Sequence, residues 1–205
     1  PDATAVLEIG RWNDKFGLWV NRGAKVIAVF EDPDRGRQRL THYFDISDTH
    51  ASRYSRPVPI WEMKPEYTDD VIESLENTFG ELENRESLAD AVLSAAKNAV
   101  EDNIPDYLGD LMYAADDSFL YGLSEDMITA MYKKAVTNSV AYMMMTRLGI
   151  DTEPLFEAED FTVITNFNTP ETLNALGIAS SDIAEMALGE ISRTVLALER
   201  QNRII

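Results

Sequence analysis

Cysteine is absent from this sequence of 205 residues, and histidine occurs only twice, as His42 and His50. Without cysteine the chain has no disulfides, no thiolate metal ligands and no thiol nucleophile. The two histidines are not spaced as HxH or HxxxH, so they are a poor basis for a metal site. We expect neither a metal nor any other cofactor, and we expect both histidines to serve the surface or hairpin packing.

Long apolar runs are also missing. The longest candidate, residues 139–145, is far too short for a bilayer, which takes about 20 apolar residues. No signal peptide is visible, since Asp2 and Glu8 lie among the first residues. We therefore expect a cytoplasmic protein that does not contact a membrane, and the lack of cysteine agrees with that compartment.

Recognisable catalytic motifs are absent as well. The sequence has no GxxxxGK(S/T), GxGxxG, GxSxG or HExxH pattern, and neither histidine lies in the context that a serine nucleophile requires. Adjacent acids such as Asp69-Asp70 and Asp116-Asp117 are common, but 36 acids among 205 residues produce such pairs by chance. Some lie where a helix start favours negative charge. We expect no enzymatic activity.

Positive charge is scarce overall and unevenly distributed. The formal net charge is −18 and the isoelectric point is about 4.4, so the chain as a whole repels nucleic acid. Residues 1–56 carry nine Lys and Arg against eight Asp and Glu, whereas the remainder carries nine against 28. The sequence thus has an N-terminal part of net charge +1 and a strongly acidic part of net charge −19.

The N-terminal part predicts a helix followed by a β-hairpin. Residues 3–16 have roughly helical apolar spacing and are followed by Gly17. Residues 25–30 (KVIAVF) and 39–46 (RLTHYFDI) are rich in β-branched and aromatic residues, which is typical of strands. The polar segment between them, residues 31–38, predicts a long, basic-tipped hairpin loop.

The rest of the chain predicts a connector and then helices. Residues 50–68 contain three prolines and little periodicity, which indicates an extended connector. Ser124 is expected to cap a helix start, and Gly80 and Gly149 are expected to end helices. The predicted helices cover residues 68–79, 86–103, 105–115, 124–148, 154–164, 169–176 and 180–201.

These elements predict an α+β fold in which the N-terminal helix and β-hairpin pack on a larger, mainly helical array. We expect residues 1–56 to form the helix and basic hairpin, and residues 57–67 to form the connector. Residues 68–205 are expected to form the acidic helical region, in one compact unit with the first part.

The predicted hairpin combines the two side-chain types that a nucleic-acid groove needs. Cations neutralise phosphates, and flat rings stack on unpaired bases. Its candidate binding residues are Trp19, Arg22, Lys25, Arg35, Arg37, Arg39 and Tyr43. The alternative is a solvated hairpin whose arginines keep a loop soluble. Composition favours this alternative, because Glu31, Asp32 and Asp34 lie in the same loop as the arginines.

The acidic helical part also allows two interpretations. Ordered carboxylates can imitate the phosphates of DNA and occupy a DNA-binding protein. The alternative is an acidic surface that keeps the protein soluble or faces a basic neighbouring domain. Composition favours the second interpretation.

Several stretches resemble a known family. Residues 1–5 (PDATA) followed by Trp12, residues 20–29 (VNRGAKVIAV) and residues 43–49 (YFDISDT) occur in the order found in the N-terminal domain of ArdC-type antirestriction proteins. This resemblance covers roughly residues 1–50.

Further stretches extend the likeness over nearly the whole chain. These stretches resemble the N-terminal region of very large helicase/methylase-like proteins carried by conjugative elements of Gram-positive bacteria. They are residues 61–67 (WEMKPEY), 118–122 (SFLYG), 138–151 (NSVAYMMMTRLGID) and 167–171 (FNTPE).

The ArdC resemblance implies single-stranded DNA binding and protection of incoming DNA from restriction. It places this function on residues 22–25 and on the strand that holds residues 43–45. ArdC-type proteins also carry a metallopeptidase-like domain with an HExxH motif, which this chain lacks. Since the family pattern has a further helix before the PDAT stretch, we expect this chain to begin within its domain and to work beside other domains of a larger polypeptide.

Residues and resemblance together predict a non-enzymatic module that binds single-stranded DNA, within a mobile-element antirestriction or DNA-transfer protein. The first alternative is an acidic protein that binds and inhibits a host defence nuclease, as a DNA mimic, in an antirestriction or anti-CRISPR role. The second alternative is a purely structural interdomain module.

Overall fold

The computed structural model describes residues 4–31 and 39–202. The chain divides into two compact units, Pro1–Ile60 and Trp61–Ile205, which we call the N-terminal unit and the helical unit. The first contains all the strands of the described residues and the second is built from helices, so the predicted α+β class is confirmed. The finer division at residues 56 and 67 stays a prediction.

The described part of the N-terminal unit, residues 4–31 and 39–60, contains two small antiparallel sheets. In the first, the strand order is β1-β4-β3, and in the second β2 pairs with β5. The helix α1 runs on into a π-helical turn, and a 3-10 turn separates β4 from β5. The bounds are β1 Val6–Glu8, α1 Ile9–Arg11, π-helical turn Trp12–Phe16, β2 Leu18–Val20, β3 Ile27–Glu31, β4 Arg39–Asp45, 3-10 turn Ile46–Asp48 and β5 Thr49–Ala51.

The predicted hairpin is confirmed, since β3 and β4 pair in one antiparallel register from Ile27 opposite Tyr43 to Glu31 opposite Arg39. The predicted helix over residues 3–16 is wrong in its first half, because residues 6–8 form the edge strand β1. The Asp45 carboxylate explains this start: it accepts hydrogen bonds from the amides of Thr4 and Ala5, at 2.7 and 3.0 Å. The donor and acceptor of each bond are 40 or more residues apart in the sequence. The spacing of apolar residues within a short window therefore does not reveal this strand.

Few apolar side chains of the N-terminal unit are fully buried. Trp12 and Leu18 are the buried apolar residues among those described. Trp12 Nε1 donates a hydrogen bond to the Phe44 carbonyl at 2.8 Å, and its ring lies 5.7 Å from that of Phe16. The indole therefore ties the helical segment to β4.

Over residues 61–202, the helical unit has four long helices. The helix α2 matches its predicted bounds, and α4 matches to within one residue. The bounds are 3-10 turn Pro65–Tyr67, α2 Thr68–Phe79, α3 Leu88–Ala114, 3-10 turn Ala115–Asp117, α4 Glu125–Leu148, 3-10 segment Ala158–Asn166 and α5 Pro170–Asn202.

Three helix predictions differ from the structure. The predicted break at Pro105 does not occur, because α3 continues through it with Ile104 and Leu111 buried on either side. Packing of these side chains offsets the hydrogen bond that proline cannot donate. The predicted helices 169–176 and 180–201 are likewise one helix, α5, and the predicted helix 154–164 is a 3-10 segment.

The core of the helical unit lies where α3, α4 and α5 pack together. One face of α4 is buried at helical spacing, at Tyr132, Val136, Val140 and Met144. Tyr132 Oη donates to the Ala175 carbonyl at 2.9 Å, and burial raises the pKa of this phenol. Within residues 4–31 and 39–202, no helix is both long and apolar enough to span a membrane.

Candidate nucleic-acid interface

The structure distributes the predicted binding residues over several elements of the N-terminal unit. Arg35 and Arg37 lie outside the described residues. The other five occupy four separate segments. Trp19 lies on β2, Arg22 in the turn after β2, Lys25 ahead of β3, and Arg39 and Tyr43 on β4.

Arg39 and Tyr43 share one face of β4, because side chains four residues apart along a strand point the same way. The Arg39 Nη2 atom lies 3.5 Å from Glu8 Oε1, and Arg39 Nε donates to Thr41 Oγ1 at 3.3 Å. The charge of Arg39 is therefore partly offset by a carboxylate of β1. The ring of Tyr43 is only half-exposed, which reduces the area that a base can cover.

The hairpin separates Arg39 from Lys25. Arg39 begins β4 at the loop end of the hairpin, whereas Ile27, opposite Tyr43, begins β3 at the other end. Lys25 precedes Ile27 by two residues and therefore lies six residues before Glu31, the partner of Arg39. In an extended chain, six residues span up to about 20 Å. These two cations thus lie towards opposite ends of the hairpin and do not form one compact patch.

The two-stranded ribbon of β2 and β5 presents an exposed ring. Trp19 pairs with His50 across the ribbon, so both side chains lie on one face. The indole of Trp19 is 52% exposed, and the imidazole of His50 is exposed beside it. His50 Nδ1 lies 2.7 Å from Asn21 Oδ1, a hydrogen bond that orients the imidazole.

Arg22 lies at one end of this ribbon, at the tip of a tight turn. The Ala24 amide donates to the Asn21 carbonyl at 3.1 Å, and Gly23 has φ +84°, as the third residue of a type II turn requires. Arg22 is exposed and forms no ion pair with any described residue. Its guanidinium is therefore available for a phosphate.

A second arginine lies at the other end of the ribbon, in the turn of residues 52–55. Ser55 Oγ donates to the Gly17 carbonyl at 3.0 Å, which fastens this turn to the start of β2. The turn carries Arg53 and Tyr54, whose ring is 80% exposed and lies 6.0 Å from the Arg53 guanidinium carbon. We call this set the ribbon surface: Trp19, Arg22, His50, Arg53 and Tyr54.

Sequence reasoning found two members of the ribbon surface, Trp19 and Arg22, and missed the other three. The adjacent arginine and tyrosine within the stretch SRYS were the visible signal, since a cation beside a ring recurs in nucleic-acid grooves. What the sequence did not show was that β5 pairs with β2. That pairing joins segments about 30 residues apart and places His50 opposite Trp19, and the turn that carries Arg53 and Tyr54 follows β5.

The ribbon surface offers rings between cations. Arg22 and the Arg53–Tyr54 pair each lie about three residues from Trp19 along the ribbon, or about 10 Å in extended chain. Asp48, the residue before β5, is half-buried, and its backbone carbonyl accepts a hydrogen bond from the Asn21 amide. This arrangement suits a short single strand whose bases stack while its phosphates meet the arginines.

Carboxylates and histidines do not gather into a second kind of site in the part of the chain that the structure describes. No group of three or more His, Asp or Glu side chains there is arranged to hold a metal ion. Comparison of this chain with protein-family models, with curated proteins and with solved structures finds no match.

Proposed function

We propose that this chain is a nucleic-acid-binding module that binds single-stranded DNA through the ribbon surface. The observation that carries the proposal is the placement of the exposed Trp19 ring between Arg22, at one end of a short ribbon, and the Arg53–Tyr54 pair at its other end. Exposed rings and cations in one groove are what sequence-independent recognition of unpaired bases uses. Lys25, three residues after Arg22, adds a further exposed cation at that end of the ribbon.

The likeness to the ArdC-type domain supports the same conclusion from the sequence. It suggests an accessory, non-enzymatic role in a mobile-element protein that protects or transfers DNA. The acidic helical unit works against binding, because its net charge of −19 over residues 57–205 repels phosphates. We therefore expect weak binding that falls steeply with salt.

Fluorescence anisotropy with labelled oligothymidine at low salt tests the proposal. Trp19→Ala should weaken binding by about 5- to 150-fold, the range of one lost base–ring stack. Arg22→Ala should weaken it and should also reduce the slope of log K against log salt by about 0.7, the value for one phosphate contact on a single strand.

Matched controls come from the helical unit. Tyr113→Ala removes a ring that is 91% exposed, and Arg193→Ala removes an exposed arginine that pairs with Glu190. Both controls should leave DNA binding unchanged. Equal binding by wild type, Trp19→Ala and Arg22→Ala would overturn the assigned site, and absence of binding at low salt would overturn the function.

A further inference from the structure

Three aromatic rings face solvent within nine residues of the helical unit, between the end of α3 and the start of α4. Tyr113 is 91% exposed, Phe119 is 69% exposed and Tyr121 is 72% exposed. Single exposed apolar side chains are ordinary. A group of large rings in one short segment is unusual, because each buries about 150–250 Å² when it finds a partner.

The segment that carries two of these rings is firmly held. Leu120, between Phe119 and Tyr121, is fully buried. The Phe119 amide donates to Asn168 Oδ1 at 2.7 Å, and the buried Ser118 Oγ donates to the Ala115 carbonyl at 2.8 Å. The fold thus inserts one side chain and displays its two neighbours, so binding through these rings would cost little conformational entropy.

The charge around the rings has one sign. Residues 98–132 contain eight Asp and Glu and no Lys, Arg or His. The Lys133 Nζ atom lies 2.6 Å from Glu101 Oε1 and links α4 to α3. This ion pair marks where the acidic region ends along the two helices. From that ion pair outward to the connecting segment, the exposed charged side chains are Asp102, Asp106, Asp110, Asp116, Asp117, Glu125 and Asp126.

We propose that this end of the helical unit binds an arginine- and lysine-rich segment of another protein. We call it the acidic-aromatic surface, defined by Tyr113, Phe119, Tyr121, Asp116 and Asp117. Cationic groups lie favourably over phenol and phenyl rings and pair with carboxylates, while their aliphatic stems cover apolar area.

Charge complementarity selects this occupant over the others. A nucleic acid meets eight negative charges and no positive one in residues 98–132. A second copy of the chain brings a net charge of −18 and is repelled on approach. A basic segment of a partner protein is attracted by the carboxylates and gains contact area from the rings.

Anisotropy with two fluorescein-labelled peptides tests this surface on the full chain. One peptide alternates arginine with leucine, and the other alternates glutamate with leucine. We expect binding of the arginine peptide alone. The double variant Phe119→Ala/Tyr121→Ala should weaken it by about 30-fold or more, as the loss of an interface anchor does.

Two matched variants separate ring contacts from general charge attraction. Leu93→Ala removes an exposed apolar side chain about 30 Å away along α3, and it should bind like wild type. Asp116→Asn/Asp117→Asn should weaken binding more than Glu73→Gln/Glu81→Gln, which removes the same charge from exposed positions elsewhere in the unit. Circular dichroism checks that each variant keeps its helices.

Several results would overturn the proposal. They are no binding of the arginine peptide, equal losses in the surface variants and their matched controls, or self-association that the ring variants abolish. Trp19→Ala should bind the peptide like wild type, so failure of the DNA proposal and failure of this one are distinguished.

Discussion

The guanidinium carbon of Arg147 lies 3.8 Å from the centre of the Trp61 ring, and Arg147 Nη2 donates to the Trp61 carbonyl at 2.8 Å. Burial of part of the guanidinium lowers the pKa of Arg147. The two contacts hold the first residue of the helical unit against α4. One planar side chain makes both of them, which lysine is unable to copy.

Arg147→Ala should therefore lower the free energy of unfolding by about 1–2 kcal/mol, from the lost cation–π contact and hydrogen bond. Arg147→Lys should recover less than half of that loss. Urea unfolding followed by circular dichroism measures both. Arg193→Ala is the control, since the pair that its largely exposed guanidinium makes with Glu190 should contribute less than about 0.5 kcal/mol. A loss as large in this control would contradict the account.

Gly17 positions the arginine–tyrosine turn of the ribbon surface. It has φ +63°, and a Cβ there would lie 3.0 Å from the Tyr54 carbonyl oxygen and 3.2 Å from Ser52 Oγ. Gly17→Ala should destabilise the N-terminal unit by more than about 1 kcal/mol and should weaken DNA binding by moving the turn.

The control for this prediction is Gly23→Ala. Gly23 also has a positive φ, +84°, but its Cβ position is open. It should show the backbone cost alone, so thermal unfolding should rank Gly17→Ala as the less stable variant. If Gly23→Ala proves the less stable variant, the close contact of residue 17 with the turn does not contribute to stability.

The Asp45 carboxylate gives the N-terminal unit an acid-sensitive contact. Burial raises the pKa of Asp45, but hydrogen bonds from Ser47, Ala5 and Thr4 outweigh it and leave the pKa below the ordinary value. The folded state thus favours the charged form. The resulting stability is full above the unfolded-state pKa, about 3.9, and is lost as pH falls through the lower folded-state value.

Asp45→Asn should cost about 1 kcal/mol at neutral pH and should flatten the dependence of stability on pH below about 4. Hydrogen exchange of the β1 amides, measured between neutral and acid pH, follows this local contact. If the exchange rates of wild type and of Asp45→Asn change with pH in parallel, the acid sensitivity of β1 does not come from Asp45.

Local patterns predicted most helix positions, because the apolar face, the cap and the stop lie within a few residues of each other. Ser124 caps α4 by accepting from the Met127 amide at 3.4 Å, and Gly149 ends it at φ +72°, as the sequence indicated. Pro105 shows the limit of such rules, since the packing of its neighbours keeps α3 continuous where local propensity predicted a break.

Long-range pairing explains what the sequence left undetermined. The strands β1 and β5 have three residues each, too few to show a period, and exist through partners about 30 to 40 residues away. The same pairing builds the ribbon surface, so Arg22 and Trp19 were found as residue types while their neighbours His50 and Tyr54 were not. Phe119, Leu120 and Tyr121 are three consecutive apolar residues in the sequence. Nothing in the sequence indicated that Leu120 is buried while Phe119 and Tyr121 are exposed.

Intrinsic tryptophan fluorescence tests the central claim most directly. Of the three tryptophans, Trp12 and Trp61 are buried and Trp19 is 52% exposed, so a stacked base should quench the emission of Trp19 selectively. We expect oligothymidine at low salt to quench the emission of wild type and to leave the emission of Trp19→Phe unchanged. Equal quenching of both proteins, or none in wild type, would contradict the claim.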